Sequence, residues 1–268
     1  MNLFSELEIK KHMSTNYLGQ DIVFYRETGS TNQDAKELAL KGAKEGVLIV
    51  ADRQLSGRGR RGRDWISPPG KDIYMSLLLR PQCEIENASE LTLVMAMSVL
   101  EAIQEQLPHV NVGIKWPNDI VINGKKICGI LTEMNIVQQS IDYVVIGIGI
   151  NVNQTEFHQD IKAHASSIMM ETGQEADRAK LIANVMKSFE INYELFAKTQ
   201  DLTYIISRYN KHLVNVDKQV KVLEPGGEYQ GTARGINTKG ELLVDCKDGS
   251  QVAVYAGEVS VRGIYGYV

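Results

Sequence analysis

The chain has 268 residues, 43% apolar and 23% charged, with a formal net charge of −4. This is an ordinary globular composition, which excludes disordered, collagen-like and coiled-coil chains, and the length suits one large domain or one large and one small. The acidic balance argues against a surface that grips nucleic acid all over.

The three cysteines (Cys83, Cys128, Cys246) are far apart and form no C-x-x-C pair, against a disulfide framework or a cysteine zinc site. The start MNLFSELEIKKH lacks a signal peptide's basic-then-apolar order, and the longest charge-free apolar stretch, near Leu91 to Leu100, is too short for a membrane span. A reducing cytoplasm and no membrane are expected.

In chain order, residues 2–12 predict a helix, 21–28 a strand and 30–43 a short helix. Ser30 with Gln33 three positions on reads as a capping box, Ala35, Leu38 and Ala39 as an apolar stripe, and Gly42 as a stop. Residues 47–54 (VLIVADRQ) read as a buried strand running into Arg53, Arg58, Arg60, Arg61 and Arg63. That puts 5 of the 29 basic residues in 11 positions, where an even spread gives about one. After a Pro-Pro-Gly turn, 72–81 reads as a strand, and Asn87 to Leu107 as a long amphipathic helix closed by Pro108. GIKW, DIVI and KKICGILTEM make a β-rich middle around Asn123-Gly124, the strongest short-range hairpin signal. Residues 143–153 (YVVIGIGINVN) add a strand, and 176–198 and 200–214 two helices, the first with Leu181, Ile182, Val185, Met186 and Phe189 on one face. From about Lys218 the chain changes to four or five short alternating strands with Gly-rich turns, the pattern of a small antiparallel barrel. The large domain, mixing hairpins with helices, is α+β rather than doubly wound.

GRGRRGR (57–63) contains G-x-G-x-x-G at Gly57, Gly59 and Gly62. A dinucleotide fingerprint needs a helix to open at the third glycine, and RDWISPPG forbids one. GIGIN (147–151) fails because Val152 stands where a third glycine is needed. A localisation or RNA-binding patch is a plainer alternative, disfavoured by the flanking buried strands, the acidic total charge and the lack of interleaved aromatics. An anion-binding lid fits better, since glycine lets backbone N–H groups approach a ligand and arginine forks match carboxylate and phosphate. Five like charges repel, so such a loop is expected to be loose when empty and to close on an anion.

KWPND (115–119) reads either as a surface turn with a packed Trp116 or, with Lys125 and Lys126, as cationic and chelating groups on one β element. Ser30-Thr31-Asn32 is a helix cap and equally a polar binding edge. The five histidines form no metal spacing and read as solvated or core residues, and neither G-x-S-x-G nor a P-loop occurs.

STN (30–32), DRQ (52–54), GRGRRGRDW (57–65), KWPND (115–119), KKICGIL (125–131), GIGIN (147–151) and GEVSVR (257–262) form an ordered set that resembles the biotin protein ligases over nearly the whole chain. The resemblance implies a mixed β-sheet with helices, a class II aminoacyl-tRNA-synthetase-like ligase domain at residues 1–215, and a Src-homology-3-like β-barrel at residues 216–268. It implies a biotin–[biotin carboxyl-carrier protein] ligase that makes biotinoyl-5′-adenylate from biotin and MgATP. Biotin then passes to one lysine of the biotin carboxyl carrier protein or domain of a biotin-dependent carboxylase. By the same resemblance Ser30, Thr31, Asn32, Gln54, Gly57, Arg58, Gly59, Arg60, Lys126 and Gly129 meet biotin. Arg58, Arg60, Arg61, Trp65, Lys115, Asn118, Asn151 and Arg262 meet ATP or the adenylate, and Lys126, Arg58, Arg60 and Asp119 carry the chemistry. Mg²⁺ is the implied cofactor, with no residue assigned to hold it. Cys128 stands where many members carry alanine. Regulatory members place a winged helix-turn-helix before the ligase domain. Only 29 residues precede Ser30, so a stand-alone cytoplasmic enzyme without repressor activity or specific DNA is expected, with a homodimer left open. A lipoate protein ligase shares the architecture and is disfavoured by GRGRRGR and KWPND.

Overall fold

Ser5 caps the first helix, α1 (Glu6–His12), its hydroxyl accepting from the Glu8 N–H. The chain then runs through β1 (Ile22–Tyr25), α2 (Thr31–Leu40), β2 (Leu48–Ala51), β3 (Ile73–Leu79), a 3-10 turn (Ile85–Glu90) and α3 (Leu91–Gln106). Next come β4 (Val112–Lys115), β5 (Asp119–Ile122), β6 (Lys125–Val137), β7 (Ser140–Ile150), α4 (Ile168–Thr172), α5 (Arg178–Thr199) and α6 (Ile206–His212). The last five strands are β8 (Gln219–Glu224), β9 (Gly227–Ile236), β10 (Leu242–Cys246), β11 (Gln251–Val254) and β12 (Ser260–Gly263). The computed structural model describes residues 4–224, 227–256 and 260–263. Asn2 and Leu3 of the expected first helix and Gly257 to Val259 of GEVSVR lie outside the described residues.

The first seven strands form one mixed sheet in the order β1-β2-β3-β7-β6-β5-β4, in which β1 and β2 are parallel and the other neighbours antiparallel. Strand alternation sends Leu48, Val50, Leu77, Val144 and Ile146 into the main core with α3 and α5. The intervening residues Ile49, Leu78 and Val145 face the opposite side, where Ala35 and Ala39 of α2 cover them. Ser76, Gly147 and Gly149 continue that second face beyond the N-terminus of α2. The sheet therefore has a polar, small-residue floor at one end of the covering helix.

The C-terminal strands form a five-stranded antiparallel sheet, order β11-β10-β9-β8-β12, consistent with the expected small barrel. It docks through the turn before β10, where the Gly240 carbonyl accepts from Trp116 Nε1 at 2.9 Å. Gly240 has φ 71, and a Cβ there would stand 2.9 Å from Leu93 Cδ2, so the left-handed turn and the close approach both call for glycine. Among the described residues no helix is long and apolar enough to cross a membrane.

Several elements differ from expectation. The capping box does not form: Ser30 makes no side-chain cap hydrogen bond and Gln33 donates to Glu37 instead. The helix expected from Asn87 begins as a 3-10 turn, α4 is additional, and the helix expected at 200–214 shortens to Ile206–His212 because Gln200 adopts a left-handed C-cap, φ 58. The β6–β7 hairpin turns on Gln138 and Gln139, φ 49 and 63, without the usual Asn or Gly.

Candidate active site

The floor is built from three adjacent strands. Gly147 pairs with Ser76 on one side and Leu131 on the other, and Gly149 pairs with Gly129. Over it stands the N-terminus of α2. The Ser76 hydroxyl lies 2.7 Å from Thr31 Oγ1 and 2.6 Å from Asn32 Oδ1, while Asn32 Nδ2 donates to Glu133 Oε2 at 2.8 Å. Glu133 in turn pairs with Lys36 at 2.6 Å. Gln54 Oε1 accepts the Thr31 N–H at 3.0 Å and its Nε2 donates to Ser67 Oγ at 3.0 Å. Ser30 is buried at the mouth of this array without a capping bond. The helix N-terminus thus offers fixed donors and acceptors to a small polar group.

The arginine segment folds back on itself. The Gly59 N–H donates to the Arg63 carbonyl at 2.7 Å, the backbones of Arg58 and Asp64 pair as an isolated antiparallel β-bridge, Arg61 takes φ 59, and the Trp65 N–H reaches the Gly57 carbonyl at 2.9 Å. This lays the Trp65 indole on the glycine floor. A Cβ on Gly149 would lie 2.5 Å from Trp65 Nε1, and one on Gly129 would lie 2.9 Å from Cζ3. Trp65 Nε1 is buried without a hydrogen-bond partner. The segment is also less bare of partners than its composition suggests. Arg53 pairs with Glu27 at 2.8 Å, and Arg60 donates to Asn118 Oδ1 at 3.0 Å and to the carbonyl of Ala256, just after β11, at 2.7 Å.

Trp65 divides two cavities. A narrow one of about 50 Å³ is lined by Ser30, Thr31, Asn32, Gln54, Arg58, Gly129, Gly147 and Gly149. A large one of about 640 Å³ is lined by Arg61, Lys115, Asp119, Asn151 and Arg262. Gly59, Arg60, Trp65, Asn118 and Lys126 border both. Gly57 alone of the predicted site residues lines neither. It is buried, and a Cβ there would stand 2.5 Å from the Trp65 carbonyl oxygen, so its part is to let the loop close.

At the junction Lys126 Nζ lies 2.5 Å from Asp119 Oδ1 and 5.4 Å from the Trp65 ring centroid. Burial pushes Lys115 down to about 8, with Asp119 opposing that shift. Asn118 Nδ2 is held by the Ile130 carbonyl at 2.9 Å, and Asn151 Nδ2 by the Ser166 carbonyl at 2.9 Å. Among the described residues no group of three carboxylate, histidine or cysteine side chains could hold a metal. His158 and His164, expected to be solvated or core residues, line the large cavity. Met75, Gly147 and Gly149 also escaped the sequence reading as site residues. The signal for the glycines was their period-two spacing in GIGIN, which puts both on one face.

A sequence profile described as the biotin/lipoate A/B protein ligase family matches residues 23–151, and one described as the biotin protein ligase C terminal domain matches 216–262. The chain is 37% identical over 259 residues to the bifunctional ligase/repressor BirA of Bacillus subtilis, covering 96% of this chain and 79% of that protein. It is 30% identical over 238 residues to the biotin–[acetyl-CoA-carboxylase] ligase of Mycobacterium tuberculosis, covering 87% and 86%. The chain belongs to the biotin protein ligase family. The solved biotin protein ligase of Aquifex aeolicus in complex with biotin and ATP superposes on this ligase with a TM-score of 0.80 at 33% identity, covering 91% of this chain and 99% of that one.

Proposed function

We propose that the narrow cavity receives the biotin ring system, that the large cavity receives MgATP, and that their shared border is where the adenylate forms. The observation that carries this reading is the position of Lys126, which borders both cavities and is already paired with a carboxylate. Both substrates are anionic, and charge builds on the α-phosphate as the biotin carboxylate oxygen attacks phosphorus and pyrophosphate leaves. Lys126, Arg58 and Arg60 offset that charge, and Lys115, Arg61 and Arg262 face the triphosphate side. No protein nucleophile takes part. Arg61, Arg63, Lys115 and Arg262 on the wall of the large cavity suit the phosphates, Asp64, Asp119 and Asp160 share that wall, and a magnesium ion would arrive on the nucleotide as part of the substrate.

In the second step the amine of an acceptor lysine attacks the acyl carbon and AMP leaves. Once Lys126 has turned to the bound adenylate, the Asp119 carboxylate becomes the group able to accept the ammonium proton. The loop over Trp65 keeps water from the labile mixed anhydride. The acceptor is a lysine of a biotin carboxyl carrier protein or domain, and the domains are residues 1–215 and 216–268. Repression is not part of the proposed activity. Ahead of Ser30, α1 packs on α5 and β1 pairs with β2, so neither is presented for a DNA groove.

Pyrophosphate exchange tests the assignment. Lys126→Ala should keep the fold and lose about 10²–10³ in biotin-dependent exchange, the usual loss of one charged contact in a dry site. Wild-type exchange in that variant would remove Lys126 from the mechanism.

A further inference from the structure

We propose that Arg178, which lines neither cavity and belongs to none of the motifs, is a positioning residue that ties together the two hinges of the arginine loop. The loop leaves the sheet at Asp52, directly after β2, and rejoins it at Asp72, directly before β3. These strands are antiparallel neighbours, with Ala51 opposite Tyr74, so the hinges lie side by side while residues 53–71 carry Gln54, Arg58, Arg60 and Trp65 to the site. Arg178 reaches both hinges from the first turn of α5. Its Nη1 donates to Asp52 Oδ1 at 2.8 Å and to the Asp72 carbonyl at 3.1 Å.

The tie is sheltered. The Arg178 side chain is 13% exposed, and its guanidinium sits 3.9 Å from the centroid of the Phe4 ring, which packs edge-on against Phe24 of β1. A charge pair with so little solvent access is weakly screened. The Asp72 carboxylate is used separately: it accepts the Val152 N–H at 2.7 Å and lies 3.3 Å from the Tyr74 hydroxyl, which itself donates to the Pro68 carbonyl at 3.0 Å. The same hinge is thereby locked to the residue after Asn151. With both ends fixed, motion of the loop is confined to the segment between them, and closing it over a ligand orders fewer residues. The catalytic part of this inference rests on the loop covering an acyl-adenylate. The tie itself does not.

The test uses Arg178→Met, Arg178→Lys, Asp52→Asn and the Arg178→Met/Asp52→Asn double variant. In the free protein, hydrogen exchange across residues 53–71 should rise about 10-fold in Arg178→Met, as for loss of one charge-assisted hydrogen bond, while β3 and β7 keep wild-type protection. With biotin and MgATP, the preformed adenylate should escape into solution about 10-fold faster, because a poorly placed cover no longer holds it. Arg178→Lys should recover part of both effects. Asp52→Asn removes the charge of the tie from the loop side and remains decisive if Arg178→Met does not fold, and the double variant should be no worse than the worse single one. Unchanged exchange in the loop, or equal loosening of loop and sheet, would overturn the tie. Faster loop exchange with unchanged adenylate escape would overturn the positioning role. A wild-type protein that makes no adenylate would instead defeat the proposed reaction, and the exchange arm would still decide the tie.

Discussion

Gly147→Ala puts the glycine floor to a quantitative test. A Cβ at this position would overlap Asn32 Oδ1 and lie 2.8 Å from Asn32 Cγ and 3.0 Å from Nδ2. Asn32 has no room to yield, since it is 7% exposed, lies 2.6 Å from Ser76 Oγ and donates to Glu133 at 2.8 Å. The added methyl must therefore expel Asn32 from two hydrogen bonds, one buried and one to a part-buried carboxylate, or spread β3 from β7. Two such bonds less a little relaxation cost about 2–4 kcal/mol, comparable to overpacking a core. For a domain of this size that corresponds to about 5–12 °C in Tm. Biotin affinity should fall by about 10²-fold, as a misplaced polar anchor implies, while ATP affinity should hold because the large cavity does not include Gly147. Thermal unfolding and calorimetric titration measure both quantities. The pair Gly147→Ala/Asn32→Ala should regain stability without regaining biotin. A Gly147→Ala protein with wild-type Tm and wild-type biotin affinity would refute the placement of Asn32 in the pocket.

Lys115, held at about 8 by burial, carries its charge below that pH and loses it above. The kcat/KM for ATP should accordingly fall as pH rises through about 8, and Lys115→Arg should flatten that limb in a pH–rate profile. The narrow cavity of about 50 Å³ is far below the roughly 300 Å³ or more of an ordinary ligand site, so biotin must displace Trp65. Stopped-flow fluorescence on adding biotin alone should report this change and lose it in Trp65→Phe, since Trp116 is buried, bonded to Gly240 and lines the large cavity but not the narrow one. Glu90 is buried, its Oε2 lacks a partner, and burial first and then Asp201 push it up to about 7 from 4.5. Between those values the folded state holds a proton that the unfolded chain has released, so stability declines as pH rises through that window. Glu90→Gln should raise Tm by about 2–4 °C at pH 8 and change it little near pH 4.5.

What was legible in the sequence was whatever acts locally or by fixed spacing. Asn123-Gly124 marked its hairpin because both residues take positive φ, 51 and 75. The arginines marked the site because five cations in eleven positions with no acid among them need a reason to cluster, and KWPND because it sets cationic and chelating groups together between two strands. Gln138 and Gln139 hid their hairpin because pairing of the long strands β6 and β7 overrides the preference of the turn. Ser30 read as a cap because a helix start and a binding edge use the same residues, and only the fold shows its hydroxyl left out of the cap. Gly147 and Gly149 read only as part of a strand and of GIGIN, and the fold shows Asn32 and Trp65 occupying the room they leave. Arg178 could not be read at all. Its partners Asp52 and Asp72 are more than a hundred residues away in sequence, and a first-turn arginine is ordinary surface composition.

The most direct measurement of the central claim is a mass analysis of a biotin carboxyl carrier domain incubated with the ligase, MgATP, and either biotin or lipoate. The account predicts one biotinoyl group on one lysine of the acceptor, dependent on ATP, with biotinoyl-5′-AMP captured when the acceptor is left out and no transfer of lipoate. Transfer of lipoate in place of biotin, or binding of both substrates with no adenylate and no modified lysine, would contradict it.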